Sequence, residues 1–316
     1  MKKCVFIISA VIILLFMQAM IISNEPSNKQ ELGKLLFFDP ILSIDSTISC
    51  ATCHKPQFAF ADSSATSRGV GSIHGLRNTP SAMNVAMQRN FFWDGRAKTL
   101  EEQALAPIEN PNEMNLPICE ALQRLKKSES YNSYFKKIFK DEPTRSNLAE
   151  AIAAFERTLE TSNSQFDQWK FYQEPHAVSE AVKRGFMVFN NKGKCIQCHF
   201  GANFARDEFR NIGLFNAREL NDSGRAVISG DPKDAGKFKI APLRNVAITA
   251  PYMHNGILKT LKDVIEFYND PAKIVPNAIN RDSLLAKPLG LSDQEKADLE
   301  TFLMALTDKS FDINKK

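Results

Sequence analysis

The chain carries Cys50-Ala51-Thr52-Cys53-His54, and the same spacing returns at Cys195-Ile196-Gln197-Cys198-His199. Two thiols three residues apart, followed at once by an imidazole, make the pattern C-x-x-C-H. The thiols can form thioethers to both vinyl groups of one porphyrin. The histidine can then turn onto the iron as an axial ligand. With 6 Cys and 5 His among 316 residues, chance supplies about 0.002 such matches per chain. Two matches therefore point to two covalently bound haem c groups. Cys50 and Cys53 attach the first, with His54 on its iron; Cys195 and Cys198 attach the second, with His199. A redox disulfide would want a βαβ context, which the sequence lacks. A zinc site would have to use the immediate C-C-H spacing, unlike common zinc spacings.

The elements around these motifs read as helices. Glu31 to Phe38 is a short helix closed by Asp39-Pro40. Residues 55 to 80 are rich in Ser, Gly, Pro and Ala and read as a long loop, a length that usually marks function. Thr99-Leu100-Glu101-Glu102 opens a helix with a capping box, ending at Pro107. Leu148, Ile152, Phe155 and Leu159 follow helical spacing, as do Val182, Phe186 and Phe189 before the second motif. The last helix opens at the capping box Ser292 to Glu295 and carries Leu299, Phe302, Leu303 and Leu306. No set of alternating strands is visible, so the class is mainly α.

Composition narrows the function. The chain is 43% hydrophobic with a net charge of +4 from 40 basic and 36 acidic residues, interspersed. That excludes a nucleic-acid-binding face. Lys2 and Lys3 precede an almost wholly apolar run from Val5 to Ile22. Residues 1–24 therefore read as a signal peptide or N-terminal anchor, since about 18 apolar residues can just span a bilayer. Either way the rest is exported, to the periplasm, where c-type haem is attached. Cys4 lies ahead of the apolar core, and Cys119, with no partner, is expected to be a buried small residue.

Internal repetition divides the chain. Gly33 to Phe38 is similar to Gly185 to Phe189, and Leu76-Arg77-Asn78 to Leu243-Arg244-Asn245. Phe91-Phe92-Trp93-Asp94-Gly95, two residues, then Lys98-Thr99-Leu100 is matched by Tyr252-Met253-His254-Asn255-Gly256, two residues, then Lys259-Thr260-Leu261. Two cytochrome c-like haem domains follow, 25–170 and 171–316. In this register Trp93 corresponds to His254 and Pro107 to Tyr268. One helix carries a residue that cannot bind iron, the other a phenol that can, which predicts one haem open on its far side and one closed.

These features resemble the bacterial di-haem cytochrome c peroxidase family, which includes MauG-type enzymes. The resemblance spans nearly everything after residue 24. It rests on both C-x-x-C-H motifs, Phe92 to Arg96, Glu102 to Leu105, Pro107 to Met114, Leu243-Arg244-Asn245 and Pro251 to Gly256. It implies a peroxidase that reduces hydrogen peroxide at the haem on His54, while the haem on His199 takes in electrons from a small donor such as a cytochrome c or a cupredoxin. It further implies Glu113 as distal acid, Gln103 as a pocket amide and Trp93 as an electron stop between haems. Asn78, Thr249 and Pro251 match a calcium site of amide and carbonyl oxygens. Without the resemblance, Gln103 reads as a surface polar residue and Trp93 as core.

Two positions depart from the common peroxidase pattern. Where many members ligate the second iron with Met, this chain has Tyr268, as MauG does; the helical face Leu261, Val264, Ile265, Tyr268 aims it inward, and Met253 is the alternative ligand. His74 is either a distal ligand to the first iron or a solvent-exposed loop histidine. A MauG-like oxidase of a partner protein and a non-catalytic di-haem carrier stand as the other readings. A homodimer is a further implication of the resemblance.

Overall fold

The computed structural model describes residues 25–311. The expected leader, with Cys4, lies outside the described residues. Among those described, eight helices exceed eight residues: α1 (Lys29–Phe38), α2 (Leu100–Glu109), α3 (Ile118–Lys127), α4 (Glu129–Phe139), α5 (Arg145–Glu156), α6 (Glu180–Asn190), α7 (Leu261–Asn269) and α8 (Asp293–Met304). One pair of two-residue antiparallel strands, Phe209–Arg210 and Phe238–Lys239, completes the regular structure. The class is mainly α, as read. No described helix is long and apolar enough to cross a membrane.

Local chemistry sets the helix ends. Asn28 accepts the Glu31 N–H at 2.9 Å and starts α1 ahead of the expected point. Thr99 caps α2 by accepting from the Glu102 N–H at 3.1 Å. The Glu102 carboxylate reaches past Thr99 to the Lys98 N–H at 2.8 Å, so the expected capping box is only half formed. The box at Ser292 and Glu295 is complete. Helix α2 does not stop at Pro107 but runs on to Glu109. A proline in the last turn loses one backbone bond, a loss that tertiary packing covers.

The same helix crossing is built twice. α1 packs on α5, with Phe37 edge-on to Phe155 at 5.1 Å between ring centres. α6 packs on α8, with Phe189 and Phe302 at the same 5.1 Å. Each crossing is closed by a glycine. A Cβ on Gly33 would lie 2.6 Å from the Ala151 carbonyl carbon, and one on Gly185 would lie 2.6 Å from that of Asp298. Apolar side chains gather accordingly into one large cluster between Leu32 and Leu159 and another between Phe166 and Leu306.

The repeat has a different register at one point from that expected. Asn245 is matched not by Asn78 but by Asn84. Both hold left-handed backbone, φ 56° and 63°. The Asn84 N–H donates to the Leu159 carbonyl and the Asn245 N–H to that of Leu306. Their Oδ1 atoms accept from Thr161 and Asp308 N–H groups at 2.8 and 2.9 Å. Both side-chain amides donate to one group, the Thr161 hydroxyl, at 3.3 and 3.1 Å. Arg77 and Arg244, paired by the three-residue likeness, do different work. Cys119 is corrected too: it is exposed on the first turn of α3.

Arg244 makes two bonds to Asp167, at 2.7 and 2.8 Å, with both side chains at most 5% exposed. Burial pushes the Asp167 carboxyl up, but the bonds from Arg244 and Ser164 outweigh it and hold it below the ordinary carboxylate value. Its contribution is therefore fully present above the unfolded-state carboxylate pKa and is lost as pH falls through the lower folded value. Asp167→Asn leaves a buried guanidinium short of its counter-charge and is expected to cost roughly 3 kcal/mol, read as a lower midpoint in denaturant unfolding at neutral pH.

Candidate functional site

Two cavities, about 480 and 230 Å³, each contain one C-x-x-C-H motif. The first motif forms a single helical turn, Cys50–Cys53, in which Thr52 Oγ1 accepts the Ser49 N–H at 2.9 Å. The His54 N–H closes it on the Cys50 carbonyl, and the His199 N–H does the same with Cys195. Each imidazole then donates from Nδ1 to a phenylalanine carbonyl at 2.9 Å, Phe60 for His54 and Phe204 for His199. Those carbonyls are turned back by left-handed backbone at Phe60 and Phe204. Committing Nδ1 leaves Nε2 as the nitrogen each ring has to offer a metal. Burial lowers both histidine pKa values, partly opposed by the carbonyl bonds, so the rings are neutral, as ligation requires.

The thiols complete the set. Cys50, Cys53, Cys195 and Cys198 are all unbridged, and burial pushes each thiol upward. Paired free thiols, a neutral buried imidazole and a slot with apolar walls fit a c-type haem in each cavity.

The two cavities are lined by different residues from the corresponding helices. α2 brings Gln103 and Pro107 to the first cavity, and the turn after it brings Glu113. Glu113 is held by the Asn110 side-chain amide, which donates to Oε1 at 2.6 Å. Burial raises its pKa; the Asn110 bond and Arg96 only partly offset this. In the second cavity α7 brings Tyr268 to the place Pro107 has in the first. Its phenol is pushed up by burial and so stays protonated in the protein alone. Met253 lines the same cavity, so both candidate ligands are brought there.

Trp93 lines both cavities. Its Nε1–H donates to the Asn78 carbonyl at 2.8 Å. Its counterpart His254 lies edge-on to it at 6.5 Å and stacks on Phe238 at 3.6 Å. Asn78 also lines both cavities, while Thr249 and Pro251 line the second. His74 is not brought to the first cavity. It is exposed, with Nδ1 3.3 Å from Thr66 Oγ1, although its neighbours Gly75 and Leu76 do line it.

Sequence reasoning missed the charged residues of the seam. Arg77 donates to Asp94 at 2.6 Å and to Asp222 at 2.7 and 2.9 Å. Lys239 lines both cavities. Its backbone N–H donates to the Trp93 carbonyl at 2.7 Å, and its Nζ donates to Gln88 and to the Asn90 carbonyl. Burial lowers its pKa to about 8. A lone lysine at the end of a two-residue strand carries no pattern that would have singled it out. Arg77 lay in the motif misregistered with Arg244.

Two cavities, each lined by one C-x-x-C-H motif and both walled by Trp93, give the chain places for two haem groups. Residues 27–174 match the family model described as di-haem cytochrome c peroxidase. The methylamine utilization protein MauG of Methylophilus methylotrophus is 38% identical over 283 residues, 88% of this chain and 82% of that protein. The cytochrome c551 peroxidase of Nitrosomonas europaea is 38% identical over 248 residues, 78% of this chain and 74% of that one. Among solved structures, a MauG-like protein associated with microbial copper homeostasis superposes with a TM-score of 0.80 at 32% identity, covering 91% of both chains. The chain belongs to the di-haem cytochrome c peroxidase family.

Proposed function

We propose that the chain is an exported di-haem peroxidase that reduces hydrogen peroxide to two waters, consuming two protons and two electrons. The electrons come singly from a small cytochrome c or cupredoxin. The observation that carries this reading is Trp93, the indole common to the walls of two unlike cavities, one lined by the motif histidine and an acid and the other by the motif histidine and a phenol. Segments 25–170 and 171–316 act as peroxidatic and electron-transfer domains, behind a leader of residues 1–24 that directs export.

Bound haem c supplies the iron that takes peroxide and passes electrons. The chain's residues do the rest. His54 and His199 would hold the irons through Nε2, since Nδ1 of each is committed to a carbonyl. Glu113, in its ionised form, takes the proton from the near peroxide oxygen and gives it to the far one, which leaves as water. Gln103 donates a hydrogen bond within that pocket. Tyr268, or Met253 as the alternative, would supply the second ligand to the iron of the second cavity, while the first cavity, with no such residue from the corresponding helix, would be left to substrate. Asn78, Thr249 and Pro251 hold a calcium ion through oxygen at the seam.

Absorption spectra of the holoprotein test this, oxidised and half-reduced, before and after one equivalent of peroxide. Two c-type haems that respond to peroxide support the reading; two haems silent in both states leave an electron carrier. Cys50→Ala with Cys53→Ala is expected to remove covalent haem from the first site only, halving haem stain on a denaturing gel. Tyr268 favours a second reading, a MauG-like oxidase of a partner protein. It predicts a high-spin resting haem that changes on peroxide addition without prior reduction.

A further inference from the structure

Glu156, the last residue of α5, lines the first cavity and is only 5% exposed. Its Oε2 has no hydrogen-bond partner. By the helix crossing that sets Ala151 against Gly33 and Asp298 against Gly185, its counterpart in the second half is Leu303, buried in the apolar cluster there. Leucine fits this place, and an unpartnered buried acid is costly. The first half nevertheless keeps a carboxyl, and only in the cavity that also holds Glu113.

We propose that Glu156 is the proton partner of the first haem's electron: it takes up one proton when that haem is reduced and releases it on oxidation. The inference rests on the reading that Cys50 and Cys53 carry a haem. An added electron nearby disfavours the carboxylate, so electron and proton arrive together and the charge in the cavity is unchanged. After burial, Glu156 is the strongest influence on the Cys50 thiol, ahead of Cys53 and Glu113, which ties it to the attachment edge. Burial raises the Glu156 pKa to about 8, with Arg157 opposing and Glu101 reinforcing. Those two pair with each other at 2.7 Å. The cavity's other charged residues include Glu113, Arg96 and Lys239.

Spectroelectrochemical titration of the holoprotein across pH tests this in the native chain, Glu156→Gln and Glu156→Leu. In the native protein one haem should lose potential as pH rises, its reduced-to-oxidised ratio at fixed potential falling by up to about tenfold per pH unit. That dependence should vanish in both variants while the other haem is unmoved. The reduced-minus-oxidised infrared spectrum should carry a protonated-carboxyl band that Glu156→Gln removes. A flat native titration, or the same slope in the variants, overturns the inference. The Leu variant uses the side chain of the second half, and two haem bands in each variant report an intact fold. A native preparation without two haems overturns the functional reading and this inference with it; two haems with a flat titration overturn only the inference.

Discussion

Glu113→Gln leaves both haems attached and lowers peroxide turnover by about 10²- to 10⁴-fold, the usual loss when a positioned proton-transfer group is removed. Glutamine has the same shape, and its carbonyl can still accept from the Asn110 amide that holds Glu113 at 2.6 Å. What it cannot do is take a proton and return it. The pH profile separates this from a packing effect. Glu113 must be ionised to act, and burial raises its pKa above the ordinary carboxylate value. Native turnover should therefore rise with pH through that raised value, and the variant should lose this limb. Stopped-flow peroxide consumption with spectra of both haems is the measurement. Turnover within a few-fold of native, with the limb retained, would remove Glu113 from the chemistry.

Gly33→Ala and Gly185→Ala should each destabilise by at least about 4 kcal/mol. Alanine is the better helix former, by about 1 kcal/mol, so an exposed helix would gain. Here the added Cβ falls 2.6 Å from a carbonyl carbon of the partner helix, inside the 3.0 Å that real Cβ atoms keep. Neither α5 nor α8 yields cheaply, because Phe155 and Phe302, whose own Cβ atoms lie 3.0 and 2.8 Å from the added one, are packed edge-on against Phe37 and Phe189 at the same crossings. The helices must move apart and open a core that was close-packed. Thermal melts followed by circular dichroism decide it; a melt at or above the native temperature in either variant would mean the crossing tolerates separation.

Much of the site was legible because its chemistry is tied to order along the chain. C-x-x-C-H is contiguous, so both motifs could be read, and the two helices after the Asp-Gly and Asn-Gly turns located Pro107 and Tyr268 in the two cavities. The final helix was announced by a complete capping box. Other elements needed three dimensions. Lys239 matters because its short strand lies against Trp93, a contact 146 positions away in sequence. Glu156 looks like any polar helix terminus until the chamber beside it is seen. The pairing of Asn78 with Asn245 failed because three letters matched by composition, whereas Asn84 matched by backbone and hydrogen bonds. Helices α3 and α4 carry packing faces alone, Ile118, Ala121 and Leu125 on α3 and Tyr131 and Phe135 on α4, with no chemical motif beside them to mark their place in the sequence.

Thr161 receives both asparagine amides on a single hydroxyl. Expressed alone, the second repeat would leave the Asn245 amide without that acceptor, and the first would leave Asn84 without Asn203, which it reaches at 3.2 Å. The second repeat alone would thus carry an amide whose protein acceptor lies in the other half, whereas Asn84 would keep Thr161. The contiguous chain supplies that acceptor, while each half differs in what it brings to its own cavity, Pro107 in one and Tyr268 in the other.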